Sequence, residues 1–387
     1  MQLHRPHLLA DPNMSNALYV GLMSGTSLDA VDSALVRVNA SEVELVTTHE
    51  HAIPAAIRER IAAISHNGPD EIERLGVLDR ELGQLFATAT LALLATANTQ
   101  PDQVAAIGSH GQTIRHRPPS GAADAAASFS LQIGDPNTIA ESTGITTVAD
   151  FRRRDIAAGG ERAPLAPAFH AAAFAQEGSN RAIVNIGGIA NVSLLEGRDL
   201  HSGFDSGPGN TLLDHWVMRH LDKPFDRDGQ WSAEGQVLPE LLQRLLQHPY
   251  FEKSGPRSTG KEMFNLDWLD DCLTGSGSQQ APRDVQATLA ELTAITIAAG
   301  VQVNAVEVSE VYICGGGAHN TDLMRRLYHK LAPAKLDNTS VIGMDPDWVE
   351  AATFAWLASR TLAGLPGNAP VVTGAQGLRV LGGIYPG

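Results

Sequence analysis

Cysteine is nearly absent from this chain of 387 residues: Cys272 and Cys314 are the two present, far apart and outside any CxxC pair. That excludes a disulfide framework and suits a reducing compartment, so a cytoplasmic protein is expected. No run of eighteen apolar residues occurs, which argues against a membrane-spanning helix. Residues 1–16 mix His, Arg, Asp and Pro without the apolar core of a signal peptide, and are expected to be a flexible extension, with Met14 an alternative start. Basic residues are scarce too. With 28 Lys and Arg against 43 Asp and Glu, the net charge is −15. A nucleic acid or an anionic membrane is therefore a poor partner, since phosphate-rich surfaces require net basic ones. A small anionic ligand stays open, because Arg is concentrated locally at Arg115 and Arg117 and at Arg152-Arg153-Arg154.

What the chain has in quantity is length for two cores and glycine, 37 residues of it. The pattern of residues predicts strands at 18–23, 30–38 and 43–49, then helices at 54–64 and 72–97. A strand at 104–107 follows, delivering Ser109-His110-Gly111-Gln112. Further strands are expected at 131–133 and 146–148, with a helix at 136–143. The second half opens similarly, with a strand at 181–186 ending in Gly187-Gly188 and a returning strand at 190–195. Helices are expected at 209–220, 237–246, 284–301, 321–331 and 348–361, and a strand at 310–314 stops at Gly315-Gly316-Gly317. Each half thus begins with a strand, a Gly-bearing hairpin and a second strand, which suggests a duplicated α/β domain. Gly and Pro cluster at 157–167, placing the first domain at 17–160 and the second at 161–364, with 365–387 able to pack back on the first.

Five motifs carry candidate chemistry. In Met23-Ser24-Gly25-Thr26-Ser27-Leu28-Asp29, small residues at a turn would let N–H and hydroxyl groups approach a phosphate, and Asp29 could hold Mg²⁺ through water. Taken alone, it reads more readily as an ordinary hairpin turn. Gly187-Gly188, flanked by Asn185 and Asn191, forms a second such turn. In Gly203-Phe204-Asp205-Ser206-Gly207-Pro208-Gly209-Asn210, Asp205 is the best general-base candidate, read as a carboxylate in a tight loop before a helix whose N-terminus favours an anion. The plainer reading makes Asp205 a local turn former. Gly315-Gly316-Gly317 ends a strand and offers backbone for a nucleotide to pack on, or is a flexible connection. Asp150-Phe151-Arg152-Arg153-Arg154 could grip a carboxylate or phosphate, or be a solvated basic turn.

Several other patterns point elsewhere and fail. Gly255-Pro256-Arg257-Ser258-Thr259-Gly260-Lys261 resembles a P-loop, but Glu262 stands where Ser or Thr is required and no apolar strand precedes it. It is read as a loop and helix start, with Ser258 or Thr259 a possible cap. No G-x-S-x-G elbow supports a hydrolase. His110 and His116 lack Cys or Glu at metal spacing.

Gly21-Leu22-Met23-Ser24-Gly25-Thr26-Ser27-Leu28-Asp29, Ile107-Gly108-Ser109-His110-Gly111-Gln112-Thr113, Gln132-Ile133-Gly134-Asp135-Pro136 and Ala149-Asp150-Phe151-Arg152 occur in that order. Asn185-Ile186-Gly187-Gly188, Phe204-Asp205-Ser206-Gly207-Pro208-Gly209-Asn210 and Cys314-Gly315-Gly316-Gly317-Ala318 follow. Each is weak alone. Together, from Tyr19 onward, they resemble the anhydro-N-acetylmuramic acid kinase family.

The resemblance implies two actin-like (ribonuclease H-like) α/β domains with an interdomain nucleotide and sugar cleft, ATP with Mg²⁺, a homodimer and a role in peptidoglycan recycling. It implies that water opens the 1,6-anhydro ring at C1 while O6 takes the γ-phosphoryl group, giving N-acetylmuramic acid 6-phosphate and ADP. On this pattern Asp205 activates the water, and Glu350 is a second acidic residue near the site. Ser24, Gly25, Thr26, Ser27, Leu28, Asp29, Ala30 and Val31 form the ATP loop, with Gly187, Gly188, Gly315, Gly316 and Gly317 beside it. His110, Gln112, Asp150, Arg152, Arg154, Asn185, Gly207 and Asn210 are expected at the sugar. The sequence departs from the pattern at Ala30, where Gly is usual, and at Glu161-Arg162, where Gln-Gly is usual. Two competing readings are a kinase of an ordinary amino-sugar hydroxyl and an ATP-switched binding protein. The compact length, without an added peptide-binding domain, argues against the second.

Overall fold

The computed structural model describes residues 16–25, 28–39, 42–117, 128–160, 164–253, 257–260, 263–274, 280–303 and 306–387. It divides into two units, one of Met1–Phe174 with Trp348–Gly387 and one of Ala175–Asp347. The expectations for residues 1–15, Thr26, Ser27 and Glu161-Arg162 lie outside the described residues.

In the first unit, strands β1 (Ala17–Ser24), β2 (Ala30–Val38) and β3 (Val43–Ala52) form an antiparallel meander. Strand β4 (Val104–Arg117) runs parallel to β1, β5 (Phe129–Ile133) returns along the far half of β4, and β6 (Thr147–Ala149) runs parallel to β4. The second unit has its own meander, β7 (Asn180–Ile186), β8 (Ile189–Glu196) and β9 (Asp199–Pro208). Beside β7 lies parallel β10 (Glu310–Cys314), and beside that parallel β11 (Lys335–Asn338). A last strand, β12 (Gly383–Tyr385), pairs with β6. The orders β3-β2-β1-β4-β6 and β9-β8-β7-β10-β11 are therefore the same order with the same strand senses. That repeated topology is the actin-like (ribonuclease H-like) fold.

Each sheet is closed by helices with matching apolar faces. Ile61, Leu78, Leu82, Phe86 and Leu93, from helices Ala55–Ile64 and Glu71–Thr96, pack on Val20, Leu22, Leu35 and Ile107. In the second unit Ile297, Val301, Leu323 and Leu327, from helices Pro282–Gln302 and Thr321–Leu331, pack on Val184, Val192 and Ile313. A separate cluster of Leu213, Trp216, Leu241, Tyr250 and Phe264 gathers the helices between β9 and Pro282. Residues 203–208, expected to be loop, are the end of β9, because their polar atoms pair with β8 and with a segment near residue 257.

The division falls after Phe174 rather than after residue 160, and helix Val349–Leu362 belongs to the first unit, not the second. The reason is its packing across β1, β2 and β4. Gly21 and Gly108 make this possible: a Cβ at Gly21 would fall on the carbonyl oxygen of Ala351, and one at Gly108 on that of Phe354. Residues 365–387 also lie in the first unit, where Asn368 Nδ2 and Thr373 Oγ1 donate to the buried Asp155 carboxylate at 2.9 and 3.0 Å.

These contacts predict that Gly108→Ala costs about 3 kcal/mol or more, since helix backbone and not a pliable side chain must move. Gly76→Ala, on an exposed helical face with nothing within 4 Å of the added Cβ, should instead stabilise by up to about 1 kcal/mol. Chemical denaturation of the two variants checks the contrast.

Candidate active site

Polar residues collect at one end of each sheet, where the parallel strands finish, the usual place for ligands in α/β sheets. In the first unit Ser24 ends β1 and its hydroxyl donates to Gln112 Oε1 at 2.6 Å. His110, on β4, keeps its proton on Nδ1, which donates to the Gly111 carbonyl at 2.9 Å, so that Nε2 accepts from Arg152 Nε at 3.1 Å. Phe354 packs against the His110 ring, with centroids 4.6 Å apart. Glu350 lies one turn earlier on the same face of that helix.

The Arg run is not a single cluster. Phe151–Ala157 is a helix, and successive side chains point about 100° apart. Arg152 alone turns to His110, while Arg153 pairs with Asp150 at 3.3 Å and Arg154 is exposed. Burial pushes the Asp150 carboxyl up, opposed by Arg153. Arg115 is committed elsewhere, to Glu71 at 3.0 Å. In the β1–β2 turn, Leu28 N–H donates to the Gly25 carbonyl, Ala30 and Val31 begin β2, and Asp29 is exposed with Arg58 at 3.9 Å. No group of three metal-ligating side chains occurs among the described residues. A single carboxylate matches an ion that keeps most of its water and takes phosphate oxygens.

In the second unit the Gly187-Gly188 turn receives the start of helix Thr211–Leu221. The N–H groups of Gly209 and Thr211 donate to the Gly188 carbonyl and that of Asn210 to Gly187, while Asn210 Nδ2 donates to Ile186. The Gly209, Asn210 and Thr211 N–H groups are thus engaged by protein. Gly207 packs against Phe251 and Thr296. Gly315, with φ of 75°, lies against the Asn185 amide, and Gly316 and Gly317 open a short 3₁₀ turn on Ile186.

Asp205 is only 5% exposed, and it sits on β9, not in a loop. Its Oδ2 accepts from Ser258 Oγ at 3.0 Å and from Thr259 N–H at 2.9 Å. Its carbonyl accepts from Tyr250 Oη at 2.8 Å and Arg257 Nε at 3.1 Å, and its N–H donates to the Arg257 carbonyl. The Arg257 guanidinium covers the Phe204 ring at 4.5 Å. Ser258 and Thr259 cap no helix: the next begins at Leu266. The segment that fails as a P-loop is what positions the carboxylate. Its signal was two hydroxyl residues beside a Gly, with no strand before them.

The model of one family, anhydro-N-acetylmuramic acid kinase, matches residues 17–387. The chain belongs to that family. An anhydro-N-acetylmuramic acid kinase of Shewanella sp. (strain W3-18-1) is 50% identical over 373 residues, 96% of this chain and 99% of the relative. One of Pseudomonas fluorescens (strain Pf0-1) is 48% identical over the same shares. Among solved structures, component A of the Acidaminococcus fermentans (R)-2-hydroxyglutaryl-CoA dehydratase covers 90% of this chain and 99% of its own, at 10% identity and a TM-score of 0.45.

Burial holds two imidazoles of this family member, His170 and His110, neutral. It pushes His170 down to about 3 and His110 well below the usual range, where nearby Arg152 adds to the effect. Above about pH 6.5 both the folded and unfolded chains carry these groups neutral. Below it the unfolded chain takes up protons that the fold refuses, so stability falls as pH falls. Between about pH 7 and 5.5 each should cost about 1.3 kcal/mol. Denaturation at the two pH values should show this loss, and His170→Phe, apolar like its neighbours Phe169 and Phe174, should remove about half of it.

Proposed function

We propose that Asp205 is the base with which this chain, a kinase of anhydro-N-acetylmuramic acid, couples hydrolysis to phosphoryl transfer. Asp205 takes a proton from water, and the water oxygen bonds to C1 of the sugar. The C1–O6 bond breaks, and O6 accepts the γ-phosphoryl group of ATP, leaving N-acetylmuramic acid 6-phosphate and ADP. One observation carries the assignment of the base. A turn-forming Asp would face solvent, whereas Asp205 is buried with one oxygen fixed by two donors. A base held this way is pre-oriented, which is worth more in catalysis than in stability.

The remaining roles are proposed from the resemblance of these motifs to the family's. The β1–β2 turn, Gly187-Gly188 and Gly315–Gly317 receive the nucleotide, and Mg²⁺, held by Asp29 through water, would neutralise phosphate charge. His110, Gln112, Asp150, Asn185, Gly207, Asn210 and Glu350 surround the sugar or orient groups that do. We assign the lactyl carboxylate to Arg152, which His110 orients, in preference to exposed Arg154.

The test is ADP release with Mg²⁺-ATP and the 1,6-anhydro sugar in oxygen-18 water. Label at the anomeric oxygen and phosphate on O6 are expected, and Asp205→Asn should lower kcat about 10³-fold while leaving the melting temperature nearly unchanged. Phosphorylation of an ordinary amino sugar without solvent label would replace this reading with that of a simple sugar kinase.

A further inference from the structure

A row of side chains crosses the second sheet at the level of Asp205. Asn191 of β8 is paired in register with Asp205 of β9 on one side and with Asn185 of β7 on the other. Side chains of directly paired residues share a face, with Cβ atoms ~4.5–5.5 Å apart. The alternate residues Ala190, Val192 and Leu194 enter the apolar core, so Asn191 stands on the face of Asp205. Asn191 is 9% exposed, and its Oδ1 is buried with no hydrogen-bond partner among the described residues. An acceptor left unpaired in this way is uncommon in a well-packed sheet and marks a group that some other donor completes.

We propose that Asn191 is a second water-holding residue, accepting through Oδ1 the O–H of the attacking water that Asp205 does not take. This rests on the reading of Asp205 as the base of a hydrolytic ring opening. Water that attacks C1 must turn a lone pair to the carbon, so both of its O–H groups need acceptors. Asp205 removes one proton; the other stays on the oxygen and becomes the anomeric hydroxyl of the product. Its acceptor must hold that proton without taking it, which an amide oxygen does and a second carboxylate beside Asp205 does less well. A nucleophile with a single O–H needs no such partner. Asn191 therefore makes the site selective for water over alcohols.

Methanol tests this, because it can replace water at C1 and offers one O–H, giving the methyl glycoside 6-phosphate. Wild type, Asn191→Leu and Asn191→Val are run with Mg²⁺-ATP and the 1,6-anhydro sugar at a fixed methanol concentration. Leu is close to Asn in size, so it admits methanol through no added space, and Val suits a strand should Leu disturb it. The expected result is water-derived product down about 10–100-fold in both variants, KM for sugar and ATP within about threefold, and the ratio of methyl glycoside to free sugar phosphate up about tenfold. Asn191→Asp, which keeps an oxygen in place but as a carboxylate beside Asp205, should bring the ratio only part of the way back toward the wild-type value. An unchanged ratio in Asn191→Leu and Asn191→Val overturns the proposal even if their rates fall, since a merely structural role would slow both nucleophiles alike. Wild type that releases no ADP with the anhydro sugar overturns the reaction itself, a separate result visible before any variant is compared.

Discussion

A carboxylate withdrawn from water has to be given donors in its place, and the arrangement of the second unit follows from that demand. Asp205 receives Ser258 and Thr259 on one oxygen, and its backbone is clasped on both sides by Tyr250 and Arg257. The donors arrive from about fifty residues downstream, after three intervening helices. Those helices have their own apolar cluster, built on Trp216, Leu241, Tyr250 and Phe264. That cluster anchors the returning segment, because Tyr250 is at once a core residue and a donor to Asp205. Packing that looks remote from Asp205 thus fixes the position of the proposed base.

The duplicated architecture was legible in the residues, because apolar strands such as 181–186 and 310–314 are short, uninterrupted and stopped by glycine. What was hidden follows a pattern. Strand β9 carries two glycines and a proline near its end, the composition of a loop, and is extended because β8 and the 257 segment supply its partners. The helix Phe151–Ala157 carries three arginines in a row, which fit an anion grip or a solvated turn as readily as a helix until Asp155 is seen buried against Asn368 and Thr373. In both places tertiary partners outweighed local composition, as they regularly do.

The site was legible to the same degree and for the same reason. Asp205 stood out through its glycine-dense surroundings, but its partners did not, since nothing in Gly255–Lys261 says that the hydroxyls face a strand fifty residues back. A phosphate-loop template was the wrong comparison for that stretch: its Ser and Thr serve a carboxylate of the same chain. Asn191 was noticed only as a neighbour of the glycine turn, and its buried, unpartnered oxygen becomes visible only with the register of β8 against β9.

The two halves share one topology yet carry unlike chemistry, and their third strands show why. Strand β3 is the outer strand of the first sheet, and none of its residues is fully buried, so its polar groups remain within reach of solvent. Strand β9 occupies the equivalent place in the second sheet, but residues 203–208 are buried throughout. The difference lies outside the repeat, in the helical insertion that covers β9 and brings Tyr250, Arg257, Ser258 and Thr259 to it. An outer strand without a cover can present a carboxylate only to bulk water, where it is weakly oriented. Once covered, the same strand holds a carboxylate in one place, with an amide acceptor paired beside it on the same face. Duplication supplied two sheets of equal design, and the insertion turned one edge of one sheet into a place where a carboxylate is buried and held.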